Sequence, residues 1–268
     1  VTNALAAVLF VGYSLSLLFY LMHFDMQKEG LMVWAKRVLS VALALHLAFL
    51  GALFFKHGGG NLQHLSVYLV SFFIILASSF MEWRYKAPYL MLFSLPIALI
   101  FSLVAFLGSQ PPADRLAVFQ SRWLWLHVGL ILVGFAGLLI AVSSALMYLL
   151  QSYQIKSKHL GKVFLKLPSL DTLDRVHFRS LSAGIILFSL GILFGISWAR
   201  DLKEPGGVLR DPKVILSFVT CILYWLVLGF RLSALRRGQK IAFGTLLVFL
   251  LLWVTFLSTH QAPTLAGA

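Results

Sequence analysis

Eight long apolar runs, each almost free of charge, set the terms on which this chain can fold. They cover approximately residues 3–23, 35–55, 65–83, 88–108, 124–150, 177–199, 213–234 and 240–258. Each is close to the roughly 20 residues that a helix needs to cross a hydrocarbon core. Lipid offers no partner to a backbone N–H or C=O, so a spanning segment must satisfy its own backbone, which a helix does. No strand-like alternation competes anywhere. The chain is 60% hydrophobic and only 12% charged, where a soluble domain carries about 25% charged residues. The expectation is an all-α integral membrane protein, a bundle of about eight transmembrane helices forming a single polytopic membrane domain over residues 1–268.

Charge orients the bundle. Fifteen of the 22 Lys and Arg residues fall in or beside the first, third, fifth and seventh loops, against seven for the other three. The excess marks those four loops as cytoplasmic, so both termini lie on the outer side. The net charge of +13 sits in loops between spans, where anionic headgroups explain it without nucleic acid. The fifth loop, about Gln151 to Val176, is the longest on the cytoplasmic side. Its stretch Leu165–Asp171 is expected to lie along the headgroups, anchored on anionic lipid or docking a cytoplasmic partner. The first run, Ala4 to Met22, has no basic n-region or small-residue cleavage site and reads as a span. Cys221 is the only cysteine, which excludes a disulfide framework, a CxxC redox pair and a CxxCH haem attachment. Pro96 interrupts the fourth span, as membrane helices tolerate. Gly129, Gly134 and Gly137 in the fifth, with Gly184, Gly191 and Gly195 in the sixth, allow close helix approach.

The histidines carry the chemistry. His127 opens the fifth span beside Trp123 and Trp125, and His260 follows the eighth, so both belong to the outer face. His57 and His64 flank Gly58–Gly60 in the second loop. His46 is near the middle of the second span, where a polar side chain faces the bundle interior. Neutral imidazole ligates haem iron well, and two histidines at one depth could hold a porphyrin between them. Arg200, Lys203, Arg210 and Lys213 on the same face could pair with its propionates, while Trp123, Trp125 and Trp198 supply flat walls. The same residues also fit an ordinary interfacial belt with no ligand, and His46 fits a single hydrogen bond to a neighbouring helix. Glu82 is expected to pair with Arg84 at the surface. No HExxH, GxSxG or Walker A motif is present and no carboxylates pair in mid-membrane, so neither an enzyme nor a proton-coupled pump is expected.

Four segments together resemble the CcsA/CcmC-type cytochrome c assembly family. They are Ala44–Leu47 with His57-Gly58 and Asn61-Leu62; Trp123–Val128; Leu167–Arg175 leading to Gly191–Ala199; and Asp211–Lys213 with Tyr224 and Arg231-Leu232. The resemblance implies a haem-handling protein of the bacterial cytoplasmic (inner) membrane, with b-type, non-covalent haem. By resemblance His127 and His260 are the axial pair and metal ligands, with His46 as the membrane histidine of the second span. Trp123, Trp198 and Arg200 would lie beside the porphyrin. The chain departs from the family pattern in three places. Leu202–Arg210 replaces a tryptophan-rich stretch, the histidine expected in the seventh span falls near Gly229, and a family acid after Asn61-Leu62 is replaced near His64. The pattern is closer to the HemX-like branch, whose members are linked to tetrapyrrole biosynthesis and glutamyl-tRNA reductase levels. Implied partners are the bilayer, haem, and a cytochrome c assembly partner or a cytoplasmic haem-synthesis enzyme. The rival reading is a regulatory scaffold that binds no haem.

Overall fold

A computed structural model of the chain describes residues 2–57, 62–107, 122–158, 161–201, 212–233 and 238–258. These residues form α1 (Thr2–Met26), α2 (Glu29–His57), α3 (Leu62–Tyr85), α4 (Leu90–Leu107), α5 (Arg122–Lys156), α6 (Lys162–Lys166), α7 (Leu170–Asp201), α8 (Pro212–Leu232) and α9 (Gln239–Ser258), with no strand among them. Seven of these helices are long and apolar enough to span a membrane, and the apolar stretch of α9 is slightly shorter. The all-helical membrane bundle expected from the apolar runs is what forms. The helices outrun the apolar runs, most at the start of α7, because polar turns continue beyond the hydrocarbon-matched core. Ser169 caps that start, its hydroxyl accepting from Thr172 N–H at 3.3 Å. Pro212 opens α8, where a missing N–H costs nothing. The fourth helix runs on through Pro96.

The closest pair in the bundle is α5 against α7. A Cβ on Gly134 would stand 2.6 Å from Phe188 N, and one on Gly184 2.8 Å from Leu138 N. A Cβ on Gly137 would stand 3.0 Å from Gly184 Cα. These glycines therefore let two backbones touch, as small residues do between membrane helices. Gly129 does not share in this, since a Cβ there would meet nothing within 4 Å. Around this seam α9, α3 and α4 pack on α5, while α8 packs on α7 and α9. The α1–α2 pair joins through α3 and α4.

The end of the bundle where α1, α3, α5 and α8 finish is tied by polar contacts between helices. Glu82 is buried, not paired with Arg84 at the surface. Its carboxylate accepts from Met91 N–H at 3.2 Å and Tyr20 Oη at 3.4 Å, with Lys36 Nζ at 3.6 Å. Arg231 pairs with Asp174, and Lys156 with Gln239. His177 Nε2 meets Thr245 Oγ1 at 2.9 Å. In the fifth loop, Lys166 folds back to donate to the Phe24 carbonyl.

Candidate functional site

The opposite end of the α5–α7 pair carries His127. Its Nδ1 is 2.7 Å from the Gly191 carbonyl oxygen. A carbonyl can only accept, so Nδ1 carries the proton and the lone pair is left on Nε2. Nε2 has no hydrogen-bond partner among the described residues. This is the tautomer that metal-ligating histidines adopt when a backbone carbonyl orients them. Gly195, one helical turn beyond Gly191, seats the ring. A Cβ there would stand 2.6 Å from Nδ1 and 2.8 Å from Cε1. The glycine spacing predicted a close approach of helices; that two of the glycines position an imidazole depends on the register of α5 against α7, which spacing within either helix does not contain.

Aromatic side chains lie within a helical turn of His127 and of its two glycines. Trp123 stacks on Phe194, with ring centres 5.5 Å apart and planes at 22°. Trp198 follows Gly195 by three residues, packs against the main buried cluster, and leaves its buried Nε1 without a partner among the described residues. A buried N–H without an acceptor is costly, and it suits a site that takes an oxygen-bearing ligand. His127, Trp123 and Trp198 are thus brought to one end of one helix pair. His260, and the side chain of Arg200, lie outside the described residues, as do the side chains of His57 and His64.

His46 sits elsewhere and is held differently. It is fully buried, with Nδ1 2.8 Å from the Tyr13 hydroxyl. Phe72 and Tyr68 meet its ring edge-on at 5.5 and 6.2 Å, and Phe49 lies at 6.4 Å. Its Nε2 is buried with no partner among the described residues. Phe54 of α2 touches Trp125 of α5, ring centres 6.0 Å apart, which levels the two helices. At 1.5 Å per residue His46 lies about 12 Å inward from Phe54, and His127 about 3 Å inward from Trp125. The two imidazoles differ in depth by about 9 Å on that count. A second imidazole does not reach His46 among the described residues, and a Cβ on Gly229 would meet nothing within 4 Å.

The residues present fit a haem at the His127 end. The oriented Nε2, the flat walls and the unpartnered Trp198 N–H are the features such a ring and its carboxylates require. Sequence reasoning missed the Gly191 carbonyl, the seat at Gly195 and the identity of Tyr13 as the partner of His46, although a hydrogen bond from His46 to a neighbouring helix was one of its two readings. Only the periodic glycines hinted at the first two.

The family model described as cytochrome C assembly protein matches residues 1–264. The chain is similar to Protein HemX of Bacillus subtilis (strain 168), 24% identical over 254 residues, covering 92% of this chain and 90% of that protein. It is also similar to the cytochrome c biogenesis protein CcsA of Prochlorococcus marinus (strain AS9601), 26% identical over 220 residues, covering 73% and 70%. Protein HemX of Brevibacillus brevis is 29% identical over 163 residues, covering 60% and 58%.

Proposed function

This chain belongs to the cytochrome c assembly protein family, and from that premise we propose that it binds and handles haem in the membrane, in cytochrome c biogenesis or haem metabolism. The haem would be b-type and non-covalently held, with His127 and His260 holding its iron. Trp123 and Trp198 would supply apolar walls, and Arg200 would neutralise a carboxylate. His46 serves a separate, deeper position. The chain works as a single membrane domain over residues 1–268 with both termini on the outer side. Its place is the bacterial cytoplasmic membrane.

The observation that carries the reading is the commitment of His127 Nδ1–H to the Gly191 carbonyl, which leaves Nε2 as the one ring atom able to take a metal. The topology supports the pairing. Gln239, at the start of α9, meets Ser152 and Lys156 near the end of α5. The two helices are therefore antiparallel, and α9 runs from the end of α5 back toward the His127 end, with Ser258 two residues before His260. Bound iron supplies the redox-active centre. The chain's residues fix one tautomer, wall the ring and neutralise its carboxylates, and form no covalent bond to it.

The test is the Soret spectrum of the purified protein, with and without added haem. Wild type should show bound haem. His127→Ala with His260→Ala should lose it, and an unchanged spectrum would reject the assigned ligands.

A further inference from the structure

At the polar end of the bundle, Tyr85 is gripped by two guanidinium groups from different helices. Arg84 Cζ lies 5.6 Å from its ring centre and Arg179 Cζ of α7 lies 5.4 Å from it. Arg179 Nη1 also donates to the Tyr85 hydroxyl at 2.7 Å. Both distances run to one ring, so the two charges stand within about 11 Å of each other. Neither meets a carboxylate among the described residues. The nearby Glu82 is buried and held by Lys36, Tyr20 and Met91, and Arg175 is paired with Asp171. Like charges held together without a counter-ion repel, so an anion between them relieves the cluster. Guanidinium forks match phosphate oxygens in geometry.

What lies next to the pair identifies the anion's source. From Arg84, an exposed apolar stripe runs along α3 through Phe80 to Leu76. From Arg179, a parallel stripe runs along α7 through Ile186 to Leu190. Each stripe extends more than about 10 Å into the hydrocarbon depth, and α3 and α7 touch. Trp83, 74% exposed, stands at the level of the arginines, where an aromatic belt residue meets headgroups. A free phosphate would use the guanidiniums and leave the stripes unexplained. We propose that Arg84, Arg179 and Tyr85 form a specific binding site for the phosphate of an anionic phospholipid, whose acyl chains lie along the two stripes. This site is independent of the haem end and of its assignment.

Native mass spectrometry of the purified full chain tests the proposal, with phosphatidylglycerol and phosphatidylcholine of the same acyl chains as probes. Wild type should retain phosphatidylglycerol about tenfold better than phosphatidylcholine. Arg84→Gln with Arg179→Gln should abolish the preference, and Lys158→Gln with Lys240→Gln, which removes the same charge from exposed sites with no ion pair among the described residues, should leave it intact. Arg84→Lys with Arg179→Lys should keep most of it and covers the case in which the glutamine pair fails to fold. Equal retention of both lipids by wild type would overturn the site. So would equal loss from the control pair, or displacement of the lipid by inorganic phosphate as effective as displacement by glycerol-linked headgroups.

Discussion

His127 is oriented by a backbone carbonyl and seated on a glycine at the end of a tight helix pair. His46 is oriented by a tyrosine hydroxyl and enclosed by aromatic rings in the middle of three other helices. The first arrangement leaves one possible tautomer, because a carbonyl cannot donate. The second leaves two, because a hydroxyl can donate or accept. The first therefore presents a fixed lone pair near the bundle end, and its geometry depends on how closely α5 and α7 approach. The second keeps a buried nitrogen whose protonation answers to Tyr13. A family fold can thus keep two histidines of equal apparent importance while holding one by its frame and the other by its neighbours.

The largest expected effect tests the frame. Gly184→Ala puts a methyl 2.8 Å from Leu138 N and 3.0 Å from the Gly134 carbonyl oxygen. Backbone cannot yield there, so the variant should lose about 3 kcal/mol or more of stability, read as a lowered Tm and poor recovery of monodisperse protein. Gly51→Ala on α2, where a Cβ meets nothing, should melt like wild type. Equal melting of the two would deny that the seam matters.

Gly195→Ala sharpens the contrast at smaller cost. Its methyl displaces the His127 ring, not backbone. Haem affinity by titration should fall about 10- to 100-fold with Tm little changed, and an unchanged affinity would remove Gly195 from the site.

At His46 the comparison runs through stability. Tyr13→Phe strands a buried ring nitrogen and should cost about 1–2 kcal/mol. Adding His46→Phe removes both polar partners and should restore most of it, so the two changes should couple strongly in a thermal double-mutant cycle. Additive losses would mean that Tyr13 and His46 act separately. The smallest effect is expected from Trp198→Phe, which deletes an N–H that has no partner among the described residues. Stability should move by less than about 1 kcal/mol, while haem affinity weakens measurably. A large drop in Tm with unchanged affinity would make Trp198 a packing residue alone.

How much of this was legible in the sequence divides along the same line. The apolar runs located every spanning helix, since the hydrocarbon core imposes length and composition directly. The Trp123–His127 segment announced an interfacial histidine. What holds His127 was not legible, because the contact between Gly191 and His127 bridges 64 positions and rests on helix register. Gly129 carried the same spacing as Gly134 and Gly137 yet faces open space, since period alone does not say which face meets a partner. Glu82 seemed bound to its sequence neighbour Arg84, but its partners come from α1, α2 and α4. Local sequence could not reveal a carboxylate shared by four helices.

The most direct measurement of the central claim is chemical rescue of His127→Gly. Removing the imidazole leaves a ring-sized gap beside Gly191 and Gly195. The Soret band of the purified variant should collapse to that of unligated haem and return on addition of free imidazole, which reoccupies the gap and offers its nitrogen to the iron. A bound-haem spectrum identical to wild type before imidazole is added, or one that imidazole fails to restore in a folded variant, would contradict ligation by His127.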